Sequence, residues 1–297
     1  MATAFCPAHI TGFFKAELDK EDSKQLGSLG AGFSIQKGVK TTVTIRNKTK
    51  HDISNFTIKV NGFESGNMRV SEVVLSKFST KGKFVDIIHE IDVPVGYGFG
   101  SSAAVALSLS IALNDALECK LSKIKVAQIA HDVEIECKTG LGDVLASYYG
   151  GFEIRDKPGA PGIGHVQKIT LNKISIIMIC FSPISTSKFI KERLPRINGL
   201  GGKMVNKLLE SKNYEHFQEM SLEFAKYVNV MTPRMNKVVD ELSQNNIKCG
   251  IALFGETIFS MIPKENENKV LKILEKFSDG IIIKSELDNT GARVLNN

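Results

Sequence analysis

Tryptophan is missing from the 297 residues, and cysteine is scarce and odd in number: Cys6, Cys119, Cys137, Cys180 and Cys249. No two of these stand at the spacing of a zinc or redox motif, which excludes a disulfide framework and leaves a reducing, cytoplasmic setting as the expectation. Long apolar runs are missing as well. The longest, Ala103 to Leu117, is interrupted by serines and falls short of the ~20 apolar residues that cross a bilayer. No cationic segment opens the chain, so neither an export signal nor a membrane helix is expected. The formal charge is +6, yet lysine and arginine are spread out and no basic run is interleaved with aromatics. That pattern argues against a nucleic-acid surface and suits a small anionic substrate and a polyphosphate.

What is present is a globular chain with 42% hydrophobic residues, enough for a real core. The grammar changes near residue 160. The first part opens with short runs rich in β-branched residues, such as Thr41 to Ile45 and Phe56 to Val60, read as strands. Two helices follow: Ser101 to Leu117, apolar on nearly every side and therefore buried, and Lys123 to Lys138, amphipathic. The cluster Asp156 to Gly164 is the densest in proline and glycine and reads as a linker or exposed loop, so a boundary is expected there, with domains 1–160 and 161–297. Beyond it the pattern predicts a strand over Ile174 to Phe181 and helices over Lys203 to Tyr227 and Arg234 to Asn245. Strands at Gly250 to Phe254 and Ile258 to Ile262, a helix near Glu265 to Phe277 and a strand at Ile281 to Lys284 complete it. The order implies an α+β fold with helices packed on one sheet face.

The sharpest local signal is Pro94-Val95-Gly96-Tyr97-Gly98-Phe99-Gly100-Ser101-Ser102-Ala103-Ala104, which runs into the buried helix. Alternate glycines let a ligand approach bare N–H groups. The helix start adds unpaired amides and the positive end of its dipole, which makes an anion site. Neither a Gly-Lys-Ser/Thr P-loop nor Gly-x-Gly-x-x-Gly is present. A glycine turn with a serine cap before a core helix would look similar.

The second helix carries His131 and Glu134 on one face, and the loop after it, Thr139-Gly140-Leu141-Gly142-Asp143, brings another carboxylate. Each has an ordinary alternative. Glu134 pairs with Lys138 at i+4, His131 is a solvated surface residue, or Asp143 caps the next helix. With a phosphate loop in the same half, a second role opens for each. Glu134 and Ser102 supply oxygen ligands for Mg2+, and Asp143 orients an alcohol nucleophile and takes its proton late in the transfer.

The full glycine string resembles the second signature of the GHMP kinases. Pro7-Ala8-His9-Ile10-Thr11-Gly12-Phe13-Phe14, Gly27-Ser28-Leu29-Gly30-Ala31-Gly32 and Thr139-Gly140-Leu141-Gly142-Asp143-Val144 resemble one branch of them, the archaeal pantoate kinases. The resemblance continues through Pro183-Ile184-Ser185-Thr186 to Gly291-Ala292-Arg293. It implies a GHMP kinase fold, with a ribosomal-protein-S5-domain-2-like N-terminal domain and a ferredoxin-like C-terminal domain. It further implies ATP with Mg2+, pantoate as acceptor and a homodimer. On this footing Pro94, Gly96, Gly98, Gly100, Ser101, Ser102 and Ala103 bind nucleotide, Ser102 and Glu134 hold the metal, and Asp143 is catalytic. Arg155 is expected to clamp the acceptor carboxylate, with Ser28, His131 and Thr186 as hydrogen-bonding partners. The sequence departs from galactokinase and mevalonate kinase at the first signature, where His9 stands at the basic position and Phe13-Phe14 replace Glu-His. The third signature is weak, with Cys249-Gly250-Ile251-Ala252-Leu253-Phe254-Gly255-Glu256-Thr257 where a glycine-rich loop is usual. The stretch from Asn61 to Lys83 is the candidate for the adenine pocket. The rivals are a homoserine- or mevalonate-type kinase and a non-catalytic sensor or nucleic-acid binder on the same fold.

Overall fold

The computed structural model describes residues 1–63 and 68–295. Two long antiparallel strands organise it, β1 (Ala2–Glu17) and β2 (Gly27–Asn47). β1 is buried along almost its whole length, so its apolar residues face packed layers on both sides. Its register slips between Pro7 and Ala8 and between Thr11 and Phe13; bulges of this kind re-aim side chains beside a site. β2 is long enough to serve two neighbours on one edge. Residues 39–47 pair with β4 (Lys83–Ile91) and residues 30–33 with β5 (Phe152–Lys157). β3 (Phe56–Gly62) lies parallel to β4, β6 (His165–Ile169) extends β5, and β11 (Arg293–Leu295) returns from the C-terminal end to pair with β1.

Against this sheet and each other pack α1 (Arg69–Ser76), α2 (Ser101–Ala116), α3 (Lys123–Cys137) and α4 (Asp143–Tyr149). α2 is buried on nearly all sides. The second sheet has the antiparallel order β10-β7-β9-β8, from β7 (Ile174–Pro183), β8 (Gly250–Ala252), β9 (Gly255–Pro263) and β10 (Ile281–Glu286). Its helices are α5 (Thr186–Ser211), α6 (Tyr214–Tyr227), α7 (Pro233–Gln244) and α8 (Glu267–Leu274).

Two expectations need correction. The Pro/Gly cluster is not a linker: it joins β5 to β6 within one sheet, with Gly159, Ala160 and Pro161 buried, and the chain crosses to the second sheet between 169 and 174. The helix expected over Lys203 to Tyr227 is two helices. α5 begins 17 residues earlier, at Thr186, and ends at Ser211 with Lys212 as its cap; the Asn213 side chain then accepts hydrogen bonds from the Glu215 and His216 amides and starts α6. Pro195, Gly199, Gly201 and Gly202 disguised the first half of α5, since propensity counts them against a helix. Gly201 is there for packing, because a Cβ on it would collide with the Phe14 carbonyl.

The two halves share one core. Phe13, Phe14, Phe33 and Phe152 from the first sheet interlock with Phe217, Phe224 and Phe259 from the second half, with Phe33–Phe259 and Phe152–Phe217 ring centroids 5.0 and 5.1 Å apart. A smaller core lies between the second sheet and α7 and α8. No helix among the described residues is long and apolar enough to cross a membrane.

Candidate active site

The glycine loop meets α2 as the sequence arranges it. Gly96, Gly98 and Gly100 have φ of +86°, +88° and +56°, conformations closed to most side chains. Gly100 is the N-cap and carries no side chain to satisfy the first-turn amides, so those donors are free for a ligand. They border a cavity of about 420 Å3 lined by Gly96, Gly98, Gly100, Ser101, Ser102, Thr139, Asp143 and Thr186, among others. An adjoining cavity of about 600 Å3 shares Gly96, Ser101 and Ser102 and runs on to Val60, Met68, Val70, Ser71 and His89. The latter group overlaps the span expected to hold adenine; residues 64–67 of that span lie outside the described residues.

Asp143 is the first residue of α4 and forms part of the cavity wall. Its Oδ1 accepts a hydrogen bond from His9 Nδ1 at 2.8 Å and one from the Thr11 hydroxyl at 3.4 Å. His9 Nε2 lies 3.2 Å from Glu153 Oε1, and Glu153 in turn pairs with Arg155. Burial opposes charge on His9, but Glu153 and Asp143 outweigh it and hold the imidazole above its ordinary pKa. Burial likewise favours neutral Asp143, and the His9 hydrogen bond, with the charges of His9 and Arg155, outweighs that and holds the carboxyl below its ordinary value. The result is a balanced buried quartet, His9 and Arg155 positive, Asp143 and Glu153 negative, as buried charges require. Arg155 is 1% exposed, a core residue although it leads into a loop.

Glu134 differs. Both its oxygens are buried without a hydrogen-bond partner, and burial first, then the Asp143 charge, push its carboxyl well above the usual range. The i+4 pair with Lys138 is not formed: Lys138 is exposed at the left-handed C-cap of α3. Gly140 passes so close that a Cβ there would collide with Glu134 Oε1 and stand 2.9 Å from Asp143 Oδ2. A buried carboxylate with no side-chain partner, beside a second carboxylate, has donor chemistry that fits a divalent cation. Among the described residues no three His, Cys, Asp or Glu cluster as a closed metal cage. Magnesium does not need one, since it takes one or two protein oxygens and completes its shell with phosphate and water.

Similar sequences identify the family. A pantoate kinase of Methanocaldococcus jannaschii is 33% identical over 91% of this chain and 96% of its own length. The chain belongs to the pantoate kinase family. The family model for the GHMP kinases N terminal domain matches residues 68–151, the stretch holding the glycine loop, α2, α3 and Asp143. A solved structure described as a phosphotransferase related to the CoA biosynthesis pathway superposes with TM-score 0.88 at 27% identity, over 98% of this chain and 97% of that one. More distantly, a complex of MDDEF with MVAPP, AMPPCP and magnesium has TM-score 0.71 at 14% identity, covering 100% and 99%; it shares the GHMP kinase fold.

In this pantoate kinase family chain, the expected residues fall into three groups. Asp143, Ser101, Ser102, Gly96, Gly98, Gly100 and Thr186 meet at the first cavity, while Pro94 and Ala103 are buried at the two ends of the loop and do not line it. Ser28 and Arg155 meet beneath Gly142, where an added Cβ would collide with the Ser28 hydroxyl and stand 3.0 Å from Arg155 Nε. His131 joins neither group. Buried and held below its ordinary pKa by burial, it donates from Nε2 to the Ser23 carbonyl at 3.1 Å and so ties down the turn that leads into Ser28. Glu153 and Thr11 were missed, and His9 was singled out in a motif without a role. Their pairings join residues 132 to 144 positions apart, beyond what local spacing shows.

Proposed function

We propose that the chain transfers the terminal phosphate of MgATP to the primary hydroxyl of (R)-pantoate, giving 4-phosphopantoate for coenzyme A synthesis. The observation that carries it is Asp143, a carboxylate kept ionised by His9 and opening on the cavity of the glycine loop. In the reaction the acceptor oxygen bonds to the γ-phosphorus, the bond from that phosphorus to ADP breaks, and the alcohol proton passes to Asp143. Its Oδ1 is engaged by His9 and Thr11, so Oδ2 is the oxygen that receives the proton. The loose transition state asks for positioning and charge stabilisation, which the loop amides and the start of α2 supply. Glu134 and Ser102 would hold magnesium, which neutralises phosphate charge. The base sits in the 600 Å3 cavity against Val60, Val70 and His89.

Pantoate carries a carboxylate, a hydroxyl, a gem-dimethyl centre and a primary alcohol. The lining next to Asp143 mixes polar Ser28 and Thr11 with apolar Phe14, Leu141, Ile190 and Phe254, the two kinds of side chain that those groups need; the space between them is only about 10 Å3, so pantoate must part these side chains or extend into the phosphate cavity. Arg155 Nε, buried and unpartnered under Gly142, is the donor assigned to the carboxylate. We assign the working form to a cytoplasmic homodimer, each chain passing from its first sheet to its second between residues 169 and 174.

ADP release with MgATP and pantoate, pantothenate, mevalonate or homoserine tests this. Turnover is expected on pantoate alone. Arg155→Ala would strand Glu153 in the core, so Arg155→Lys is the variant to pair with wild type, and a pantoate KM raised about tenfold or more is expected. Turnover on mevalonate or homoserine instead would remove pantoate from the assignment, and silence on all four would remove the kinase.

A further inference from the structure

A nucleotide triphosphate bound to magnesium is still an anion, and phosphoryl transfer is helped by a cation at its terminal oxygens. The known parts of this site do not provide one from a side chain. His9 is buried and committed to Asp143 and Glu153, and Arg155 is buried and paired with Glu153. Among the described residues that line the phosphate cavity, Lys138 alone has a cationic side chain. Among the described residues its ammonium has no hydrogen-bond or ion-pair partner, although Glu134 stands one helical turn before it. The backbone explains why the two do not meet. α3 ends at Cys137, and Lys138 takes φ of +56° and ψ of +40°, which turns its side chain off the helix face. Glycine is the usual occupant of such a cap, and lysine there carries a conformational cost. Lysines with positive φ also stand at 120, 173 and 212, so the cost alone marks nothing. What sets Lys138 apart is that its turn leaves it on the wall of the phosphate cavity, beside Cys137 and Thr139.

We propose that Lys138 is the side-chain cation that contacts the terminal phosphate of the nucleotide and stabilises its charge during transfer. This rests on the nucleotide-kinase reading above, and it places a residue of the α3 cap where first-signature His9, buried in its ion pairs, does not reach.

The test uses Lys138→Gly and Lys138→Arg beside wild type. Binding of ADP and of β,γ-methylene ATP is measured by calorimetry with magnesium, together with kcat on pantoate and the thermal midpoint. In Lys138→Gly, affinity for the triphosphate analogue is expected to fall about tenfold or more with ADP affinity unchanged, and kcat to fall about 100-fold. Relief of the cap leaves the Tm unchanged or raises it by about 1–3 °C. Lys138→Arg restores most of the triphosphate preference. Equal losses for ADP and the analogue, or no loss for either, overturns the assignment, as does a kcat loss that follows a fallen Tm. Wild type that binds both nucleotides and yet ignores pantoate would sink the acceptor, and the binding comparison would still decide Lys138.

Discussion

A single carboxylate shows how the residue scale works here. Asp143 is useful because three groups from distant parts of the chain keep it charged in a mostly buried place: His9 and Thr11 from β1, and Arg155 from β5. Asn at this position would keep an oxygen for the His9 N–H and lose the proton acceptor. Asp143→Asn is therefore expected to lower kcat about 1,000-fold while nucleotide affinity stays within about a factor of two, read by single-turnover kinetics and calorimetry. Activity retained above a tenth of wild type would mean that Asp143 only positions. How much of this was legible follows from distance along the chain. Asp143, Ser102 and the glycines lie in short strings whose spacing carries their chemistry. The quartet depends on pairings across the fold, and a sequence offers no measure of which carboxylate will meet which imidazole.

At the scale of elements, β4 is fixed by one buried histidine. His89 is hydrogen-bonded to Thr41 of β2 at 2.8 Å and to Ser71 of α1 at 3.0 Å, and Thr41 reaches Ser108 of α2 at 2.7 Å. Burial pushes His89 down from 6.5 to about 4, so the folded state prefers it neutral. The unfolded chain then binds the proton first as pH falls, and stability is whole above pH 6.5 and drains away between there and about 4. The loss is on the order of 3 kcal/mol, and it also loosens a wall of the proposed base cavity. Urea unfolding at several pH values, wild type against His89→Gln, should show a flatter acid limb in the variant; parallel limbs would mean that His89 is not the source. Elements were read unevenly for a related reason. α2 and α3 were legible from their own residues, α2 as a stretch apolar on nearly every side and α3 as an amphipathic one; the Ser122 hydroxyl that accepts from the Lys125 amide at the start of α3 came only with the structure. The first half of α5 was not, since Gly201 and Gly202 serve close packing against β1 and, with Pro195, look like breakers until the partner is in view.

At the scale of the molecule, the two halves of the chain differ in grammar but not in core. β2 pairs with β1 along one edge and with β4 and β5 along the other, β11 joins the first sheet from the far end of the chain, and the phenylalanines of both halves interlock at Phe217. Composition and the break near residue 160 pointed to two units, because a proline-glycine cluster looks the same whether it separates domains or turns a hairpin. The shared core also bears on function, since the glycine loop belongs to the first half while Thr186 and Phe254, on the same cavity, belong to the second. Phe217 is fully buried and within 5.8 Å, centroid to centroid, of Phe13, Phe152 and Phe259. Phe217→Ala should cost about 3–5 kcal/mol, and the cost should be felt on both sides of the interface. Hydrogen exchange followed by mass spectrometry is expected to show protection falling together in peptides from β4 and from β9. If β4 keeps wild-type protection while β9 loses it, the halves open separately, and the cavity that spans them would then be gated by their docking.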